Sequence, residues 1–293
     1  MFGVTSRAML RTMAVGCCAL DLLVAGAGRA ATRPPDSVRP STRLTASPQV
    51  PPLGDAAVRP EVRDLSVLVV GDSWGTILSI GMEKMANLSA DRHNLVIKAA
   101  RAGCGIMQPT RILILFRGQL ITNPGCNDWP EYWRGLVARF HPQAVLLESG
   151  IFDTHNPQQL PGQDHATTIT DPVFRAQFDT QIDRAIRVLG AGGARVFLTT
   201  LSDLPKPYWN LVNGSWSVAM NAALHAAAER NPAVRLLDMH GQMCTDDRDC
   251  PAVISGIPVY DETTHPTPVA RDRLAAWILN SIYADLHAHA SRQ

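Results

Sequence analysis

What the sequence lacks narrows it first. It carries almost no net charge, with 27 Lys and Arg set against 26 Asp and Glu for a formal +1. So balanced a surface has little field to draw in nucleic acid or an acidic membrane, and neither is expected as the main partner. No segment repeats at the spacing of a solenoid or a propeller. No two cysteines have CxxC spacing and no suitably spaced His accompanies them, which weighs against zinc. The apolar stretch at 13–28 is too short and too interrupted to span a bilayer comfortably. What remains is a chain of 293 residues, 46% of them hydrophobic, enough for one large core or two small ones.

Residues 1–30 have the form of an export signal. Arg7 and Arg11 give a positive start, Met13–Gly28 is small and apolar, and Gly28-Arg29-Ala30 offers small residues before Ala31; Asp21 is an awkward charge within it. A lipoprotein with Cys17 or Cys18 acylated is the competing reading. Residues 31–62 are rich in Pro, Ser, Thr and Arg without apolar periodicity, as in a disordered linker. With Cys17 and Cys18 set aside, four cysteines fall into two sequence-local pairs, Cys104 with Cys126 and Cys244 with Cys250, although four allow three pairings. Disulfides suit an oxidising compartment, so a periplasmic or extracellular location is expected.

The stretch Asp64–Trp74, DLSVLVVGDSW, anchors the rest. Val67–Val70 is a short, β-branched, continuously apolar run, as a strand covered on both faces requires. It breaks at Gly71-Asp72-Ser73, before a helix expected over 76–88. Further strands are expected at 94–99, 144–148, 195–201 and 234–238. Helices are expected at 129–140, 173–189 and 217–230, with a last one running to about 287, while 106–128 reads as irregular. Five strands alternating with helices imply one domain over 63–288, a five-stranded parallel sheet with helices on both faces. In such folds ligands bind at the carboxyl edge of the sheet.

Ser73 is expected at that edge. Its hydroxyl would be exposed and its N–H would be among the unpaired donors of a helix start, suited to a developing negative charge. The plainer alternative is that Asp72 or Ser73 only caps the helix. A hydroxyl near neutrality needs a base, and the base needs a carboxylate to orient it. Asp261-Glu262-Thr263-Thr264-His265 lies just before the last helix: His265 supplies the imidazole, and Glu262, three residues earlier, can fold back to its other ring nitrogen. A lone His in a polar loop would otherwise be a surface residue.

With both anchors in place, the chain resembles the SGNH (GDSL-type) hydrolases. The resemblance implies a flavodoxin-like three-layer α/β/α fold and an esterase, lipase or acyltransferase working without metal or other cofactor. It makes Ser73 of Gly71-Asp72-Ser73 the nucleophile and an oxyanion-hole donor. Gly103 becomes the second donor, with Gly105 close behind. The third block, Gly-x-Asn-Asp in the family, here reads Gly150-Ile151-Phe152-Asp153, so Phe152 replaces a donor whose loss typically costs about 2.7–4 kcal/mol of transition-state stabilisation. The last block, Asp-x-x-His, puts Glu262 at the acid position, with Asp261 the alternative one residue back. The chain is similar to the exported domains of bacterial envelope acyltransferases, which makes a glycan O-acyl ester, acetyl above all, the expected substrate and a membrane acyltransferase a candidate partner. The reading from a different class is a non-catalytic glycan-binding module with a degenerate site.

Trp74, Tyr208 and Trp209 are candidates for stacking on a sugar ring, though aromatics at such places are as often core. Asp153 and Asp203, at strand ends on the same rim, are candidate substrate contacts. Asp246, Asp247 and Asp249 within 245–250 lack the ligand spacing of a calcium loop. His287 and His289 are expected to be exposed.

Overall fold

The computed structural model describes residues 60, 62–89, 93–115, 118–123, 125–148, 150–203, 214–244 and 250–291. The expected signal, nearly all of the linker, Cys17, Cys18, Tyr208, Trp209, Asp246, Asp247 and Asp249 lie outside the described residues. The described residues belong to one compact unit, Pro48–Gln293.

The first half of the chain runs β1 (Ser66–Gly71), α1 (Ser73–Leu88), β2 (Leu95–Lys98), β3 (Arg111–Ile114), β4 (Gln119–Thr122), α2 (Trp129–Phe140), β5 (Ala144–Glu148), α3 (Ile151–His155) and β6 (Gln158–Gln159). It continues with α4 (Pro172–Gly190), β7 (Arg195–Thr199), α5 (Gly214–Arg230), β8 (Val234–Leu237), α6 (Met239–Met243), β9 (Val253–Ile254), β10 (Ile257–Pro258) and α7 (Pro268–Ala290). Five of these strands form one parallel sheet in the order β2-β1-β5-β7-β8. Helices cover both sides of it: α1 packs along α7, while α2, α4 and α5 pack in succession against one another.

The central strands are apolar throughout because both faces are covered. In Val67–Val70, Ala144–Leu147 and Val196–Leu198 no residue is more than 3% exposed, and each Val or Leu so buried contributes about 1.5–3 kcal/mol. The edge strands β2 and β8 mix buried and exposed positions, as one open side requires.

Three departures from the sequence expectations have physical causes. First, α1 starts at Ser73 rather than Thr76, because the Asp72 carboxylate accepts the Trp74 N–H and caps it. Second, the stretch read as irregular holds β3 and β4, which join β6 in an antiparallel three-stranded sheet. Their partner strand is two glutamines distant in sequence, and such a pairing leaves no local periodicity. Third, packed chain begins by Val62, which is fully buried, with its carbonyl accepting from Ser89 Oγ at 2.6 Å and Asn94 Nδ2 at 3.2 Å. Among the described residues, no helix is long and apolar enough to cross a membrane.

Candidate active site

The strand β1 ends at Gly71, whose φ of 128° only glycine adopts comfortably. A Cβ there would also collide with the Glu148 carbonyl oxygen on the neighbouring strand. The chain therefore turns sharply between β1 and β5, and Asp72 and Ser73 emerge at the carboxyl edge of the sheet. Asp72 is fully buried. One carboxylate oxygen accepts Trp74 N–H at 2.9 Å and the other accepts Phe152 N–H at 2.7 Å, tying the start of α1 to the start of α3. Ser73, half-buried, is the first residue of α1. The leading N–H groups of a helix have no carbonyl partner within it.

Across the edge, the loop before α7 brings His265 to this turn. Its Nε2 lies 2.8 Å from Ser73 Oγ, a contact between residues 192 positions apart. The loop is tightly self-bonded: Asp261 N–H donates to the His265 carbonyl at 2.8 Å, Thr264 N–H donates to the Asp261 carbonyl at 3.1 Å, and Thr264 takes a φ of 68°. On the far side of the ring the structure places a residue other than the expected Glu262. Nδ1 meets the Thr263 hydroxyl at 2.8 Å, and that hydroxyl lies 2.6 Å from Asp261 Oδ1. The same Oδ1 accepts the N–H groups of Thr263 (2.8 Å) and His265 (3.1 Å). One proton assignment runs through the whole row: Ser73 O–H donates to Nε2, Nδ1–H donates to Thr263 Oγ1, and Thr263 O–H donates to Asp261. Burial pushes the Asp261 carboxyl up, but the bonds from Thr263 and the His265 amide, with the nearby imidazole, outweigh it and leave it below the ordinary value. Glu262 is exposed on this loop.

The loop after β2 closes the other flank. Arg101 N–H donates to the Gly71 carbonyl at 2.9 Å, and Gly103 follows with a φ of 76°. Cys104 is bonded to Cys126, anchoring this loop to the start of the segment leading into α2. Arg101 itself lies over the Tyr132 ring, 3.8 Å from its centroid, and pairs with Asp128 at 2.7 Å. The Phe152 ring approaches Gly103, 4.0 Å from where a Cβ would be. Phe152 supplies no side-chain donor, and its backbone N–H is already taken by Asp72.

Three candidate contacts are corrected by burial. Trp74 is 1% exposed and its ring lies 6.2 Å from that of Tyr260, so it packs the core and has no face for a sugar. Asp153 is equally buried, accepting Ile106 N–H at 2.8 Å and Gln158 Nε2–H at 2.8 Å. It anchors the 101–107 loop from beneath, and Gly105 is needed there because a Cβ would run into this carboxyl. Asp203 is buried as well, its carbonyl accepting the Tyr260 hydroxyl at 3.0 Å. Cys244 is bonded to Cys250, and His240 lies beside them with its potential ligand atom within 4.8 Å of both sulfurs. Sulfurs bonded to each other carry no thiolate charge to hold a cation.

A Ser–His contact at the carboxyl edge of a five-stranded α/β/α sheet fits the class of serine hydrolases. Residues 41–280 match the family described as "SGNH domain (fused to AT3 domains)", well over half of the chain, and the chain belongs to that family. It is an SGNH/GDSL-type enzyme acting on ester bonds. Among solved structures it is similar to the lipase/acylhydrolase from Enterococcus faecalis, at 14% identity and a TM-score of 0.52, covering 75% of this chain and 97% of that one. A GDSL-like lipase from Bacteroides thetaiotaomicron matches at 15% identity and 0.45, covering 77% and 89%. An acetyl xylan esterase, AlAXEase, matches at 14% and 0.47, covering 76% and 99%. None of the curated proteins matches the chain.

Proposed function

We propose that this protein is an exported serine esterase or O-acyltransferase working on acyl esters, acetyl above all, of an envelope or extracellular glycan. The single observation that carries the chemistry is the 2.8 Å contact between Ser73 Oγ and His265 Nε2. Ser73 attacks the ester carbonyl as His265 takes its proton, then the imidazolium returns a proton to the leaving alcohol. Asp261 stabilises the imidazolium through the Thr263 hydroxyl, a longer route than a direct carboxylate. The N–H groups of Ser73 and Gly103 hold the oxyanion, and Phe152 leaves the hole without a side-chain donor. The acyl group then passes from Ser73 to water or to a sugar hydroxyl, with His265 taking the acceptor's proton and returning it to Ser73 Oγ, two outcomes that differ only in the acceptor. The description of the family as fused to acyltransferase domains supports a membrane acyltransferase as partner. Two disulfides among the described residues support an oxidising compartment.

A small chromogenic acetyl ester, with and without added glycan acceptor, tests this reading. Turnover is expected in the wild type and lost in Ser73→Ala. An inert wild type that still retains glycan on a column would favour the binding module, for which the apolar Phe152 in the third block speaks.

A further inference from the structure

Behind the nucleophile turn lies a buried acid that the chemistry above does not use. Glu148, the last residue of β5, is fully buried and sits opposite Gly71 in the β1–β5 register. Its backbone carbonyl accepts the Asp72 N–H at 3.3 Å. Neither of its carboxyl oxygens makes a well-formed hydrogen bond to a described residue. The groups that bear on it are the Asp72 carboxyl, likewise fully buried at this turn, and the backbone amide of Gly75, where an added Cβ would lie 3.5 Å from the Glu148 Cβ.

Two carboxyls held together away from water do not both ionise. Which one keeps the charge follows from their partners. Asp72 receives two backbone N–H groups, from Trp74 and Phe152, and both favour its carboxylate. Glu148 has only the Gly75 amide to set against these two, so the proton belongs on Glu148. Of the other groups facing the pair, His265 across the turn favours a negative Asp72, while Asp153 on α3, a further acid, opposes it and is outweighed by the two N–H bonds and the imidazole.

We propose that Glu148 is a positioning residue: in its neutral form it donates to the Asp72 carboxylate, and the shared proton holds the Ser73 turn and the start of α3 in place. Burial first, then the charge of Asp72, hold the Glu148 carboxyl well above the usual carboxylate range. Its ionisation on the alkaline side sets two negative charges against each other beneath Ser73 and loosens the turn. The proposal rests on the reading of Ser73 as nucleophile.

The test compares wild type, Glu148→Gln and Glu148→Leu on α-naphthyl acetate across pH, with infrared spectra of wild type and Glu148→Gln at neutral pH. Glutamine can still donate to Asp72 and cannot ionise. It is expected to keep kcat within about twofold at neutral pH and to lack the alkaline fall expected of the wild type, whereas leucine costs about tenfold or more in kcat at similar KM. The wild-type spectrum should show the carbonyl stretch of a protonated carboxylic acid, absent from Glu148→Gln. Identical spectra, or a Glu148→Gln profile that falls with the wild type, would overturn the proposal. If Glu148→Leu does not fold, the glutamine variant and the spectra still decide it. A wild type without turnover would instead defeat the esterase reading, leaving the infrared comparison to decide whether the proton is there.

Discussion

An imidazole takes a proton from a serine only while its ring is held at the right tilt and its positive charge is met from behind. Here a hydroxyl stands between ring and carboxylate: Nδ1 to Thr263 Oγ1 at 2.8 Å, and Thr263 Oγ1 to Asp261 at 2.6 Å. Because Asp261 also binds two amides of its own loop, it fixes the backbone that carries His265 as well as the relay. Thr263→Val keeps the shape and removes the relay; it is expected to lower kcat by roughly 10- to 100-fold with KM little changed, and Asp261→Asn to follow it in direction. Glu262→Gln should stay within about twofold of wild type. Steady-state kinetics of the three variants check this, and a deep loss confined to Glu262→Gln would return the acid role to that residue. The sequence pointed to Ser73 and His265 because a Gly-Asp-Ser turn after an apolar strand and a His before the last helix carry their own signals. It did not point to Thr263, since a hydroxyl inserted into a proton row has no spacing rule. Nor did Glu148 stand out, because it reads as the polar end of an apolar strand until its burial is seen.

At the scale of elements, α3 does much with five residues. It carries Phe152 to Asp72, Asp153 to the amides of the 101–107 loop, and His155 into the interior. From sequence it reads as loop, because a single helical turn has no period to detect and its start is held by a side chain 80 positions away. Burial pulls the His155 pKa down to about 4, from an ordinary 6.5. The unfolded chain therefore binds more protons between those values, so this residue takes stability away as pH falls from about 6.5 to about 4. His155→Asn cannot titrate; its Tm, followed from pH 7 to pH 4, should fall less steeply than that of the wild type, whatever the absolute offset. Equal slopes would contradict the burial argument. The antiparallel sheet of β3, β4 and β6 was hidden for a related reason: its third strand comes from after α3, and strands of two to four residues, one of them paired from so far along the chain, look irregular one at a time.

At the scale of the whole molecule, strand order explains where the site lies. The chain leaves β1 for β2 on one side and returns to β5 on the other. The crevice outside the carboxyl ends of β1 and β5 is thus the switch point at which open α/β sheets bind their ligands. Ser73 follows β1, the 101–107 loop follows β2, Phe152 follows β5, and the long loop before α7 closes over them with His265. That arrangement was legible in outline, because continuous Val and Leu runs separated by helix-length periods leave few topologies open. The meeting of residue 73 with residue 265 is the point on which everything else turns, and covalent labelling reads it most directly. Treating the protein with a fluorophosphonate and locating the adduct by peptide mass spectrometry should place it on Ser73, with labelling strongly slowed in His265→Ala. An adduct on another residue, or labelling of Ser73 undiminished by loss of the imidazole, would contradict the account.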